Sequence, residues 1–203
     1  MLIGIITFTI LVSSIVVYVI MPRGKPLKFA VKELEILSEI LKDGDIICRL
    51  GDRVWSQFFK NISESDNRFS HMGIIRINND LTTVIHAEGD TGHGKDFVHE
   101  TALNDFVKIA RAIGIYRINN VNGNQVSNIA AEYLGIPFDW QFDMQDESKL
   151  YCTELLYAIL IRIAPELELN TIYINELGKN IIPLEAISNS KYFSEIYYVS
   201  NKE

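Results

Sequence analysis

Residues 150–157 read Leu-Tyr-Cys-Thr-Glu-Leu-Leu-Tyr, and this stretch decides how the remainder of the chain is interpreted. Apolar residues recur here at helical spacing, which predicts a helix over residues 150–163 with Cys152 in its first turn. The first turn of a helix presents unpaired backbone N–H groups and the positive end of the helix dipole, and both favour a thiolate over a thiol. We therefore expect Cys152 to be a nucleophile.

A histidine lies near the start of a predicted strand earlier in the chain. Residues 69–77 are rich in β-branched side chains and include His71, and residues 81–88 predict the second strand of a hairpin. Side chains alternate along a strand, so His86 and Glu88 should share one face. A thiol, an imidazole and a polar orienting group on neighbouring elements are the groups that nucleophilic catalysis needs.

The rest of the chain predicts further helices and strands around these two elements. Helical spacing marks residues 27–41, 54–59 and 124–134, and strand-like runs occupy residues 45–50, 112–118 and 190–200. Helices grouped against an antiparallel sheet give an α+β fold.

Several short segments, taken in order, carry a family resemblance. They are Gly44-Asp45-Ile46-Ile47, Ser70-His71-Met72-Gly73-Ile74-Ile75, Val84-Ile85-His86-Ala87, Leu134-Gly135-Ile136-Pro137-Phe138-Asp139, Tyr151-Cys152-Thr153-Glu154-Leu155 and, more weakly, Ile182-Pro183-Leu184-Glu185-Ala186. Their order and spacing resemble the permuted papain-like cysteine hydrolases of the YiiX and YaeF type, which are relatives of the NlpC amidases and, more distantly, of lecithin:retinol acyltransferase. The resemblance implies a circularly permuted papain-like fold of the NlpC type over nearly everything after residue 43.

The resemblance also implies roles for individual residues. Cys152 matches the family nucleophile, His71 the general base and His86 the third, orienting residue. Many YiiX-like members carry a glutamate at the third position, whereas this chain has His86 followed by Glu88, so both stay candidates for that role. Tyr151 is a candidate to line the cleft, with packing in the core as the alternative.

The function implied is that of a thiol hydrolase, an amidase or peptidase that cleaves a peptide-type amide such as one from the cell wall. Two alternatives stay open. One is a lipid-directed acyl hydrolase or acyltransferase, and the other is a catalytically silent binding domain of the same fold.

The N-terminal residues 1–21 contain no charged side chain and are almost wholly apolar. About 20 such residues span a bilayer as a helix, so we expect a single transmembrane helix here. The segment lacks a basic n-region and a clear cleavage site, which favours a retained anchor over a signal sequence. We expect residues 22–43 to form a basic juxtamembrane segment with an amphipathic helix, and residues 44–203 to form the hydrolase domain.

The side of the membrane is predicted differently by two lines of reasoning. Arg23, Lys25, Lys28 and Lys32 follow the apolar run and no lysine or arginine precedes it, which by the positive-inside rule favours a cytoplasmic domain. The resemblance to exported YiiX-like proteins favours the outside.

Composition narrows the range of partners. The formal net charge is −7, all of it outside the apolar run, so nucleic acid is an improbable partner. His86, His93 and His99 lack the tight ligand spacing of a metal site, and residues 89–95 are typical of a surface loop rather than a phosphate-binding motif. We expect neither a metal nor a cofactor.

Overall fold

The computed structural model describes residues 31–51, 62–63, 65–79, 81–89, 96–175 and 177–200. The predicted anchor at residues 1–21 and the predicted short helix at residues 54–59 lie outside the described residues. Within the described ranges, no helix combines the length and the apolar character needed to cross a membrane.

The described residues form helices and strands that follow one another along the chain. The helices are α1 (Val31–Ile40), α2 (Leu103–Val107), α3 (Gly123–Glu132), α4 (Cys152–Ile163) and α5 (Glu185–Ser188). The strands are β1 (Ile46–Leu50), β2 (His71–Asn78), β3 (Leu81–Glu88), β4 (Phe97–Ala102), β5 (Ala112–Ile118), β6 (Ile172–Ile174), β7 (Lys179–Ile181) and β8 (Phe193–Ser200).

Six of these strands form one antiparallel sheet in the order β4-β3-β2-β1-β5-β8. Strands β6 and β7 pair separately. The prediction of an α+β fold with an antiparallel sheet packed against helices is confirmed. The predicted strand over residues 112–118 coincides with β5, and the predicted hairpin at residues 69–88 is the β2–β3 pair.

Helices cover both faces of the sheet. One face packs against α3 and α4, with Met72 of β2 in the same apolar cluster as Leu155 of α4. The other face packs against α1 and α2, with Ile75 of β2 beside Phe106 of α2. Because side chains alternate along a strand, neighbouring residues of β2 reach different helices.

The sheet contains one edge strand that the sequence patterns do not predict. Strand β4 pairs with β3 from Glu88 with Phe97 to Thr83 with Ala102. It begins just after the glycine-rich residues 89–95, and α2 follows it at once. The edge strand matters for the site because it brings His99 and Thr101 alongside β3.

Candidate active site

Cys152 is the first residue of α4, as predicted, and only 3% of its surface is exposed. The backbone N–H groups of Met72, Thr153 and Cys152 itself act on its sulfur and lower the pKa of the thiol. Since Met72 directly follows His71, the thiol lies against the first residues of β2. The fold therefore brings the predicted nucleophile to the strand that carries the predicted base.

Burial changes the expected acidity of this thiol. It raises the pKa of Cys152 to about 11, although the three N–H groups and the charge of Arg49 act in the opposite direction. The expectation of a depressed pKa is wrong for the thiol by itself. Burial destabilises the thiolate more than the N–H groups at the start of the helix stabilise it. At neutral pH the thiol therefore carries its proton.

The residues beside Cys152 hold the start of α4 in place. The amide of Tyr151 donates to Oε2 of Glu154 at 3.2 Å, and the Tyr151 hydroxyl accepts from the amide of Ile182 at 3.0 Å. The hydroxyl of Thr153 donates to the carbonyl of Ile182 at 2.7 Å. Tyr151 is fully buried against Phe142, which supports the alternative that it packs in the core.

The two predicted histidines are hydrogen-bonded to each other. Nε2 of His71 lies 3.0 Å from Nδ1 of His86, and Nε2 of His86 lies 3.0 Å from Oγ1 of Thr101. Phe106 stacks on the ring of His71 and meets the edge of the buried His86 ring. Nε2 of His71 and both ring nitrogens of His86 therefore take part in these contacts.

The histidine pair depends on a glycine between its members. A Cβ atom at Gly73 would lie 2.4 Å from Cγ1 of Val84 and 3.0 Å from Cβ of His86. Both distances are shorter than a carbon–carbon contact, so any larger residue would push β3 and the ring of His86 outward. Gly73 lies just beyond the last β2–β3 pair, Ile74 with Ile85.

Glu88 lies close to the histidine pair but has a different principal partner. Its Oε1 forms a short ion pair with Nη2 of Arg49, whereas its Oε2 lies 3.9 Å from Nδ1 of His86. Arg49 is only 4% exposed, and it also donates to the carbonyl of Phe106 at 3.0 Å and lies over the ring of that residue. Of the two candidates for the third role, His86 is therefore the one in hydrogen-bond contact with His71.

The sequence patterns do not identify Arg49 as a site residue. The available signal is a single charged residue in the otherwise apolar strand Ile46–Leu50, because a buried charge requires a partner. That partner, Glu88, lies 39 positions further along the chain. Local patterns cannot identify it.

The same side chains include a set of possible metal ligands. One donor atom from each of His71, His86 and Glu88 lies within 4.8 Å of the others, and imidazole and carboxylate groups are zinc ligands. However, the carboxylate of Glu88 is held by the buried guanidinium of Arg49, whose charge opposes a divalent cation at this place. The arrangement fits a hydrogen-bonded group better than a resident metal ion.

His99 donates from Nδ1 to the carbonyl of Phe97, and His93 lies outside the described residues.

Residues 182–185 connect the start of α4, which carries Cys152, with the residues that precede β2, which carries His71. Ile182 holds the residues on both sides of Cys152, as described above. Three positions further on, Glu185 accepts hydrogen bonds from the amide and hydroxyl of Ser65, both at 2.6 Å, and from the amide of Asp66 at 3.0 Å. Residues 65–66 precede β2 in the chain. Residues 182–185 are therefore hydrogen-bonded both to the start of α4 and to the segment before β2.

Comparison with known proteins agrees with this geometry. Residues 40–190 match the family described as permuted papain-like amidase enzymes, YaeF/YiiX, C92 family. A solved structure titled metalloprotein yiiX from Escherichia coli O157:H7 superposes with a TM-score of 0.65 and 16% identity, over 79% of this chain and 99% of that one. At this identity the likeness shows the fold alone. Curated protein sequences give no match. Since the family match spans well over half of the chain, this protein belongs to the YaeF/YiiX family of permuted papain-like amidases, a family of cysteine hydrolases.

Proposed function

We propose that the protein cleaves a peptide-type amide with Cys152 as nucleophile, His71 as general base and His86 as the third, orienting residue. The observation that carries the proposal is the 3.0 Å contact between the two imidazoles, one residue along β2 from the Met72 amide that lowers the pKa of Cys152. The thiol lies beside Met72 and the imidazole pair begins at the preceding residue, His71. A thiol, a base and an orienting group are the groups that covalent catalysis by cysteine requires.

The geometry supports a specific route for the proton. Nε2 of His71 is engaged with His86, so Nδ1 takes the proton from the buried thiol as the sulfur attacks the carbonyl carbon. The backbone N–H of Cys152, at the helix start, donates to the oxyanion. His71 then passes the proton to the leaving amine as the C–N bond breaks. Water hydrolyses the resulting thioester and returns the thiol.

Arg49 and Glu88 contribute charge to the proposed site without taking part in proton transfer. The guanidinium of Arg49 lowers the pKa of Cys152, although less than burial raises it. Glu88 neutralises Arg49 within the protein. Loss of Glu88 would leave the buried guanidinium of Arg49 without the carboxylate that neutralises it, which is costly in a buried site.

The experiment is turnover by the full-length protein in detergent micelles, with labelled cell-wall peptides and labelled phospholipids as separate substrates. We expect hydrolysis of the peptide amide, its loss in Cys152→Ala and its retention in Cys48→Ala, a matched control because Cys48 is buried in the same apolar cluster. Hydrolysis of the lipid alone would identify a lipid-directed acyl hydrolase or acyltransferase. A lack of turnover on both, with unchanged folding, would identify a silent binding domain.

As part of the same proposal, residues 1–21 hold the domain at a membrane. The support is the uncharged run and the basic residues that follow it. Mass spectrometry of the native protein is the test, because a mature N-terminus near residue 22 would identify a cleaved signal. Protease added outside intact cells distinguishes the cytoplasmic domain that the flanking charges favour from the exported domain that the family resemblance favours.

A further inference from the structure

Thr101 forms the far end of a hydrogen-bonded series that begins at His71. It lies on the edge strand β4 opposite Val84, and this register places its hydroxyl 3.0 Å from Nε2 of His86. The ring of His86 is 1% exposed and lies against aromatic rings, among them His99 at 4.2 Å between centroids and Phe106 at 5.1 Å. The carboxylate of Glu88 is farther from it than Thr101, with Oε2 3.9 Å from Nδ1.

A neutral imidazole has one N–H and one bare nitrogen, so each hydrogen bond in this series determines the next. If the Thr101 hydroxyl accepts from Nε2–H of His86, then Nδ1 of His86 is bare and accepts from Nε2–H of His71. Nδ1 of His71 is then bare as well. This is the form in which His71 can take a proton from a thiol.

The reverse arrangement cannot act as a base. If the Thr101 hydroxyl donates to Nε2 of His86, the proton of His86 is on Nδ1 and is donated to Nε2 of His71. Nδ1 of His71 then carries the proton and has no lone pair for the thiol. Moreover, protonated His71 has an N–H at both nitrogens, so a proton on Nδ1 of His86 would face another proton across the 3.0 Å contact.

From this geometry we propose that Thr101 is a positioning residue, whose hydroxyl oxygen accepts from His86 and so holds both imidazoles in the tautomer that leaves Nδ1 of His71 basic. The proposal rests on the proposed function and extends it by a residue that acts through His86. A threonine suits this role because its hydroxyl oxygen accepts a hydrogen bond while its own proton rotates away.

Three variants test the proposal. In Thr101→Val the buried N–H of His86 loses its acceptor, and we expect kcat/KM to fall roughly tenfold to hundredfold. Thr101→Ser restores a hydroxyl at the same place and should recover most of the activity. Thr83→Val is the matched control, because Thr83 is on the adjacent strand and its hydroxyl bonds to Glu100 and the carbonyl of Arg76 instead of an imidazole. It should leave kcat/KM within about twofold of the native value.

The second readout is the tautomer itself, measured by ¹⁵N NMR of the histidine rings in the resting protein without substrate. We expect Nδ1 of both His71 and His86 to be unprotonated in the native protein and in Thr101→Ser, and a shift of protonation toward Nδ1 in Thr101→Val. Native activity in Thr101→Val, or equal losses in the valine and serine variants with unchanged tautomers, would overturn the proposal. If the native protein lacks turnover altogether, the proposed function fails, and the NMR result still decides the role of Thr101.

Discussion

The two ends of the β2–β3 hairpin differ in what they bury. At the closed end, the strands pair continuously from Ile74 with Ile85 to the turn at Asn78 and Leu81, and apolar residues such as Ile75 fill the space beneath α2. At the open end, the same face of the same two strands carries imidazoles, a carboxylate and a glycine.

The difference shows how one hairpin separates stability from chemistry. Buried polar groups are costly unless they are hydrogen-bonded, and at the open end each described member has a polar partner. The apolar closed end supplies the packing that keeps the open end in register, since a slip by one residue would turn His71 and His86 to the other face. The variants below separate these contributions.

The largest effect is expected at the open end, from His71→Ala. Removal of the base should lower kcat/KM by about 10²–10⁴-fold. The melting temperature should fall only modestly, because the residue lies at the first position of its strand, although buried His86 loses one hydrogen-bond partner. Steady-state kinetics and thermal unfolding of the same sample provide the measurement. A variant that keeps native turnover would remove His71 from the mechanism.

At the closed end, Ile75→Ala should give the opposite pattern. Ile75 is fully buried, so its truncation should cost about 2–5 kcal/mol of unfolding free energy. The fraction that remains folded should keep the native kcat/KM, as judged by active-site titration alongside urea unfolding. A large loss of activity per folded molecule would mean that the two ends are coupled more tightly than their separate contacts imply.

Gly73→Ala probes the junction between the two ends and should affect both properties. The added Cβ would lie too close to Val84 and His86, so we expect a loss of about 1–3 kcal/mol in stability together with reduced turnover. Adding Val84→Ala should cost less in this background than in the native protein, because it relieves one of the two close contacts. An additive double-mutant cycle would exclude the steric explanation.

The smallest effect concerns Glu154, in the first turn of α4. Burial, reinforced by Asp139 and other nearby carboxylates, raises the pKa of Glu154 to about 8. The folded protein therefore binds a proton that the unfolded chain has lost, and stability should fall as the pH rises from about 4.5 toward 8. Glu154→Gln should flatten this dependence of the melting temperature on pH, whereas exposed Glu168→Gln should follow the native curve. Identical slopes for both variants would show that Glu154 ionises normally.

Much of the scaffold was predictable because its signals are local. The β5 strand, the β2–β3 hairpin and the start of α4 at Cys152 follow from periodicity, turn residues and β-branched composition in short windows. The alternation rule likewise placed His86 and Glu88 on one face. The third role in the site stays a prediction, with the contacts of His86 as its support.

The rest was not predictable because it depends on partners far along the chain. Strand β4 mixes polar and apolar residues at the sheet edge and follows a glycine-rich run, so its Thr101 gave no local signal. Arg49 contacts Glu88 and Phe106, both far along the chain. The pKa of Cys152 was predicted in the wrong direction because the helix start is visible in the sequence, whereas the depth of burial is a property of the whole core.

The hydrogen bonds made by Ile182 and Glu185 can form only after the residues that they hold have been synthesised. A ribosome has released Cys152 and His71 well before it completes the segment that joins their elements, residues 182–185. Until that segment emerges, the nascent chain carries both residues without the hydrogen bonds of Ile182 and Glu185. The chain order of this permuted fold thus places the segment that ties the two elements together after both of them, so these hydrogen bonds form only once that segment has emerged.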